Sequence, residues 1–317
     1  MHLYIGIMSG TSLDGLDICL VSISSHIRLL GSRFLEFPPA LRQELLSLCS
    51  PADNELARLS TAEQHWARLA ATGVVELLKQ QQLQPSAIRA IGSHGQTIRH
   101  HPELGFSVQI GAPALLAELT GIDVISQFRQ RDLAAGGQGA PLVPAFHHWL
   151  FAGDGLASAI LNIGGFSNVS FLLPQQPVYG FDCGPGNVLL DAWAGRHLGV
   201  PYDDAGNWGR SGQINAPLLE QLLQQPYFSQ TGPKSTGREL FNLKWLDQQL
   251  ASHAAITAAD VQATLSELTA ISISQSILRE NVLLDRLAVC GGGAHNLYLL
   301  ERLAALLPAM QVTTTDQ

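Results

Sequence analysis

The stretch LNIGGFSNVSFLLPQQPVYGFDCGPGN, Leu161–Asn187, is where the reading of this chain begins. With the residues just before it, it reads as two short strands, Ala159–Ile163 and Ser167–Leu173, on either side of Gly164-Gly165. A glycine pair lets backbone approach a bound group, because no Cβ stands in the way. The stretch ends in a predicted loop that presents Asp182, between Phe181 and a Gly184-Pro185-Gly186 turn. A carboxylate on a stiff loop can act as a general base. It can equally cap its own turn, which is the common role of Asp before glycine.

Working towards the N-terminus, Leu3–Met8 reads as a strand. The turn Ser9-Gly10-Thr11-Ser12-Leu13-Asp14-Gly15 and a second strand, Leu16–Ile23, follow it, so the opening is a β-hairpin. It is not a dinucleotide-binding opening, which needs GxGxxG leading into a helix. A turn of this composition can aim several N–H groups and two hydroxyls at one anion, or can be an ordinary hairpin turn. A third strand, Ile27–Phe37, ends at Pro38-Pro39. Residues 51–82 carry helical spacing through Leu56, Leu59, Trp66, Leu69, Val74, Leu77 and Leu78, with Gly73 a weak point of about 1 kcal/mol. Strands are expected at Ile88–Gly92, Phe106–Ile110 and Asp123–Gln127, and a helix at Pro113–Leu119. The first of these strands runs into the turn Ser93-His94-Gly95-Gln96-Thr97.

Phe128–Pro144 is glycine-rich and reads as a non-helical linker or binding loop. It sets the expected boundary between domains 1–135 and 136–317. Beyond Asp182, helices are expected at Val188–Leu198, Ala216–Gln224, Asn242–His253, Ala258–Glu280 and Leu297–Leu306. A strand at Leu287–Val289 precedes the glycine turn Gly291-Gly292-Gly293, and another lies at Gln311–Thr314. Both halves open with strand, glycine turn, strand. That is an echo of architecture without residue-level repetition. Alternation of strands and helices after an antiparallel start predicts an α/β fold with open, largely parallel sheets.

Composition narrows the function. A chain of 317 residues, 46% hydrophobic and 14% charged, has core enough for two domains. Its net charge of -8 argues against nucleic acid as a partner, since phosphate backbones need clustered Lys and Arg. No apolar run is long enough to cross a membrane, and no basic segment precedes the apolar N-terminus as in a signal peptide. Four scattered cysteines form no CxxC pair, which suits reduced thiols in a cytoplasm. Cys183 lacks a basic neighbour in sequence and reads as a packed residue rather than a nucleophile. Gly232-Pro233-Lys234-Ser235-Thr236 only looks like a phosphate loop, because proline stands before the lysine. The histidines have no metal-ligand spacing, and no metal-ligating residues are assigned. Turns that follow strands gather at one edge of an open α/β sheet. Three of them, at Ser9–Gly15, Gly164-Gly165 and Gly291–Gly293, would suit a nucleotide, with backbone amides and a helix N-terminus facing phosphate.

Seven motifs then appear in one order: GIMSGTSLDGLD (Gly6–Asp17), GSHGQTIRHHP (Gly92–Pro102), FRQRDLAAGGQGAPLVPAFH (Phe128–His147), LNIGGFSN (Leu161–Asn168), GFDCGPGN (Gly180–Asn187), PKSTGRE (Pro233–Glu239) and CGGGAHN (Cys290–Asn296). Together they resemble the anhydro-N-acetylmuramic acid kinase family. The resemblance implies a two-domain actin-like ATPase (ribonuclease H-like) fold with a nucleotide and sugar cleft between the domains. It implies ATP and Mg²⁺ as cofactors, 1,6-anhydro-N-acetylmuramic acid as substrate, and peptidoglycan recycling in the cytoplasm as the setting. No membrane partner is implied, and a homodimer is compatible. Asp182 falls on the family's catalytic aspartate. ATP binding falls on Gly10, Thr11, Ser12, Leu13, Asp14, Gly15, Leu16 and Asp17, on Asn162, Gly164 and Gly165, and on Gly291, Gly292, Gly293 and Asn296. His94, Arg131 and Asp132 are the candidates for the sugar, with the Arg131 guanidinium suited to the lactyl carboxylate. Members of the family continue past the VTTTD segment with a helix that carries a sugar-contacting glutamate, and the sequence here ends at Gln317. An alternative of another class is therefore a catalytically impaired nucleotide- or sugar-binding remnant of such a kinase.

Overall fold

The computed structural model describes residues 2–10, 13–153, 155–253 and 255–315. The chain divides into two compact units, Met1–Gly139 and Ala140–Gln317.

In the first unit the strands are β1 (His2–Met8), β2 (Gly15–Ile23), β3 (Ile27–Glu36), β4 (Ile88–Ser93), β5 (Gln96–His101), β6 (Phe106–Ile110) and β7 (Val124–Ile125). Its helices are α1 (Pro39–Leu48), α2 (Glu55–Gln80), α3 (Pro113–Thr120) and α4 (Phe128–Ala134). Among the described residues the main sheet runs β3-β2-β1-β4-β7. The first three strands are antiparallel, whereas β1, β4 and β7 are parallel. β5 and β6 form a separate hairpin.

One sheet face is apolar because Ile5 and Ile7 of β1 and Leu16, Ile18 and Leu20 of β2 alternate inward. It packs with α2, whose inward stripe includes Trp66, Ala67, Ala70, Val74 and Leu77. Small residues let this helix come close. A Cβ added at Gly73 would stand 2.3 Å from Ile18 Cδ1, so the expected weak point is a packing requirement. On the other face Met8, Leu29, Phe34, Ile125 and Phe128 stand exposed. Met8, Leu29, Phe34 and Phe128 line a depression of about 410 Å³.

The second unit carries α5 (Pro144–Phe151), β8 (Ser158–Ile163), β9 (Phe166–Leu172), β10 (Tyr179–Pro185), α6 (Val188–Leu198), α7 (Asn207–Ser211), α8 (Ala216–Leu223), α9 (Leu243–Leu250), α10 (Ala258–Leu278), β11 (Arg286–Cys290), α11 (Leu297–Leu306) and β12 (Gln311–Thr314). Its sheet runs β10-β9-β8-β11-β12. Again the first three strands are antiparallel and the last two parallel. The two sheets thus share one strand order, and the echo between the halves is topological. α10 is buried between two cores. Ala270, Ile273 and Ile277 join the sheet core, while Val261, Leu265 and Leu268 join a cluster with Trp193, Phe228 and Phe241. Its buried Glu267 is matched by Arg302 of α11 through two hydrogen bonds of 2.6 and 2.9 Å. No helix among the described residues is long and apolar enough to cross a membrane.

Two local expectations are corrected. Phe128–Pro144 is not without helix: FRQRDLA forms α4, and the glycines begin only after it, at Gly136. α5 opens on Pro144, whose fixed φ suits a first helical turn. Asp182 lies in strand β10 rather than a loop, because Tyr179 and Phe181 are strand formers with a core to fill. α1 and β5 are further elements that periodicity alone did not separate from their turns.

Candidate active site

In the first unit the β1–β2 turn is braced by the turn after β4. β1 and β4 are parallel neighbours, so both turns leave the same sheet edge. The His94 amide donates to Ile7 O at 3.0 Å. The Ser9 hydroxyl donates to Gly95 O at 3.1 Å and accepts from the Trp66 indole N–H at 3.2 Å. Gln96 Nε2 donates to Gly10 O at 3.2 Å. Leu13 is buried at a φ of 59°, rare for a branched side chain, and its carbonyl accepts from Arg42 Nε at 3.0 Å. Asp14 is exposed, 3.9 Å from Arg42. Gly10, Gly15, Leu16 and Asp17 complete the predicted hairpin, while Thr11 and Ser12 lie outside the described residues.

The predicted sugar trio does not form one contact set. His94 Nδ1–H donates to Gly95 O at 2.8 Å, and Nε2 accepts from Arg129 Nε at 3.0 Å. Both ring nitrogens are therefore engaged in a neutral imidazole. Asp132 Oδ2 accepts from the Gly139 amide at 2.7 Å, closing the glycine loop behind α4. Arg131 is exposed. The partner of His94 is Arg129, which residue type alone did not single out. A signal was present in the helical spacing of FRQRD, which puts Arg129 and Arg131 on different faces.

Burial, and then the Arg129 charge, push His94 down to about 4. His100 is pushed down to about 4 by the same two causes in the same order. An unfolded histidine titrates near 6.5. Both rings thus bind protons more readily in the unfolded chain. Their stabilisation is complete above pH ~6.5 and lost as pH falls to about 4. Urea midpoints measured across this window should decline with falling pH. His94→Gln should flatten the slope, and an unchanged slope would refute the assignment.

The second unit brings Asp182, Asn162 and two glycine turns onto one sheet edge. Asp182 is 6% exposed. The register of β10 against β9 shifts between Asp182 and Gly184, a bulge that leaves Cys183 as the extra residue and re-aims the strand. Asp182, at the start of the bulge, is clamped by PKSTGRE and by Tyr227. The Asp182 amide donates to Lys234 O at 3.0 Å, the Thr236 amide donates to Asp182 Oδ2 at 3.0 Å, and Tyr227 OH donates to Asp182 O at 2.8 Å. Lys234 is itself buried. Its Nζ donates to Gln230 O at 3.1 Å and lies 4.5 Å from the Tyr227 ring centroid. Burial lowers the Lys234 ammonium from its ordinary value. Burial pushes Cys183 up to about 12, which removes it as a thiolate nucleophile.

The Gly164-Gly165 turn is tied to the start of α6. The amides of Gly186 and Val188 donate to Gly165 O, and that of Asn187 donates to Gly164 O, at 2.9–3.0 Å. The Gly164 amide donates to Phe166 O, which leaves the Gly165 amide as this turn's donor toward an anion. Gly291 has a φ of 79°, and a Cβ there would meet Asn162 Oδ1 at 2.5 Å, so only glycine brings the two turns together. Gly292 and Gly293 continue the turn, the latter against Ile163. Asn296 is an N-cap: its Oδ1 accepts from the Leu299 amide at 3.0 Å. The PKSTGRE clamp on Asp182 was invisible in sequence, because its residues lie some fifty positions from the carboxylate they hold.

Comparison with known proteins bears on the fold and on the family. A solved structure, component A of (R)-2-hydroxyglutaryl-CoA dehydratase from Acidaminococcus fermentans, matches 99% of this chain and 92% of its own at a TM-score of 0.50 and 12% identity, a likeness of fold alone. The anhydro-N-acetylmuramic acid kinase of Pseudomonas paraeruginosa is 58% identical over 316 residues, spanning 100% of this chain and 87% of the relative. That of Pseudomonas putida is 59% identical over 315 residues, spanning 99% and 87%. The family model for anhydro-N-acetylmuramic acid kinase matches residues 2–317, so the chain belongs to the anhydro-N-acetylmuramic acid kinase family.

Proposed function

We propose that this chain is an ATP-dependent kinase that opens 1,6-anhydro-N-acetylmuramic acid with water and phosphorylates the freed 6-oxygen. The products are N-acetylmuramic acid 6-phosphate and ADP. Family membership supports the reaction and the sugar. The observation that carries the mechanism is the setting of Asp182, a buried carboxylate on a bulged strand, clamped by Thr236, Lys234 and Tyr227. Held in this way, Asp182 takes a proton from the water that attacks the anomeric carbon. Ring opening then supplies the 6-oxygen as nucleophile toward the γ-phosphate, so no second strong base is required.

The ATP-binding roles are assigned to Gly10–Asp17, to Asn162, Gly164 and Gly165, and to Gly291–Gly293 and Asn296. Among the described residues no three His, Cys, Asp or Glu side chains cluster as a metal site. Mg²⁺ does not need such a cluster, since it travels on phosphates and water with one or two protein carboxylates. Asp14 and Asp17 fit that part. Partial desolvation, and then the like charge of Asp14, hold Asp17 above its ordinary range, and a divalent cation relieves both. When bound, Mg²⁺ neutralises charge on the transferring phosphoryl group. For the sugar, Arg131 is exposed and available to the lactyl carboxylate. His94 and Asp132 shape that region through Arg129 and the Gly139 loop. The setting we assign is cytoplasmic peptidoglycan recycling.

The test is ADP release from ATP and Mg²⁺ with and without the anhydro sugar, with the sugar product weighed by mass spectrometry. A gain of one phosphate and one water on the sugar is expected. ATP or sugar binding without ADP release would instead identify a nucleotide- or sugar-binding remnant. In the same assay Arg131→Leu should raise KM for the sugar roughly tenfold, from loss of a charged hydrogen bond. An unchanged KM would reassign the carboxylate.

A further inference from the structure

Asn168 stands at the centre of a polar row that the reaction above leaves half explained. Strand register places Asp182 opposite Asn168, Asn168 opposite Asn162, and Asn162 opposite Cys290. Side chains alternate along a strand, so all four share one face of the sheet. The intervening residues Leu161, Val169, Phe181, Cys183 and Val289 fill the core on the opposite face. At one end of the row Asp182 receives the Thr236 amide at 3.0 Å. At the other, Cys290 Sγ lies 3.9 Å from Asn162 Oδ1. Between them the Oδ1 of Asn168 is buried and has no hydrogen-bond partner among the described residues.

A buried carbonyl oxygen without a donor is costly, and the group that completes it must carry an O–H or N–H. Phosphate oxygens bring no such hydrogen, so the oxygen is poorly matched to the phosphates of the nucleotide and well matched to water. Residues directly opposite across an antiparallel pair have Cβ atoms about 4.5–5.5 Å apart. At that spacing one water can donate to both side chains.

We propose that Asn168 Oδ1 and the Asp182 carboxylate together hold the attacking water, one O–H to each, an inference that rests on the kinase reading above. Two acceptors fix both hydrogens and turn a lone pair toward the anomeric carbon. The water oxygen bonds to that carbon as its bond to the 6-oxygen breaks. One water proton passes to Asp182, which later releases it to solvent. The other stays on the new anomeric hydroxyl, facing Asn168. The 6-oxygen takes the γ-phosphoryl group of ATP, and ADP leaves.

The experiment compares wild type with Asn168→Ala and with Asn168→Leu, which keeps similar bulk without an acceptor, in water and in water–methanol mixtures. Wild type must first give sugar-dependent ADP release; if it does not, the kinase reading itself fails, independently of Asn168. Loss of the acceptor should lower kcat roughly 10- to 100-fold with KM for ATP unchanged. Methanol has a single O–H and needs only Asp182, so the methyl glycoside 6-phosphate should rise about tenfold relative to the water product in either variant. A merely structural asparagine would slow both products alike. An unchanged product ratio in a folded variant, or wild-type kcat in both, overturns the proposal.

Discussion

Asp182→Asn should abolish sugar-dependent ADP release while leaving ATP binding intact. The substitution keeps the size of the side chain and an oxygen to accept the Thr236 amide, now 3.0 Å away. The backbone clamps at Lys234 O and from Tyr227 OH do not involve the side chain and remain. Only the capacity to accept a proton is lost. General-base assistance is worth roughly 10²- to 10⁴-fold, and a fall of that size in kcat is expected. ATP affinity, measured by calorimetry, should match wild type. Because a carboxamide is still a hydrogen-bond acceptor, water should remain bound but unactivated. Turnover within about tenfold of wild type would remove Asp182 from the role of base.

Trp66→Ala should cost roughly 3–5 kcal/mol of stability, the range for truncating a buried aromatic side chain. Trp66 is 0% exposed in the middle of α2. It packs against the Gly111 backbone, where an added Cβ would lie 3.4 Å from Cζ3. Its indole N–H also donates to Ser9 Oγ at 3.2 Å, so the same residue ties the core to the β1–β2 turn. Trp66→Phe separates the two contributions. It retains much of the packing, deletes the donor, and should cost about 1–2 kcal/mol. It should also weaken ATP binding if the Ser9–Gly10 backbone is held in place from below. Chemical denaturation followed by far-UV circular dichroism reads the first effect, and calorimetry with ATP reads the second. A loss below about 1 kcal/mol in Trp66→Ala would contradict the central place given to α2.

The strands and long helices were legible because local chemistry decides them. Ile5 and Ile7, buried in alternation with Tyr4, Gly6 and Met8, or the Trp66–Val74–Leu77 stripe, carry their periodicity in adjacent residues. α4 was obscured by the glycines behind it, although FRQRDLA has few helix breakers of its own. The Asp182 loop was misjudged for a related reason. GPG reads as a turn, but β10 has partners on β9 through Pro185, and pairing outweighs the local preference.

The residues proposed for the sugar show the same division. His94 was recognisable in its glycine-bounded turn, while its engagement by Arg129 depends on α4 folding back to it. Asp132 offered a carboxylate in sequence and spends it on the Gly139 amide in the fold.

Residue order alone was enough to establish the α/β class and the paired glycine turns and to single out Asp182 as the base proposed here, because those depend on periodicity, on backbone freedom and on motifs of a few adjacent residues. The surroundings of that aspartate were decided only in three dimensions. Asn168 becomes its neighbour through strand register, and Lys234 and Thr236 through a chain that returns after some fifty residues. Hydrogen bonds act over about 3 Å of space and take no account of separation along the chain.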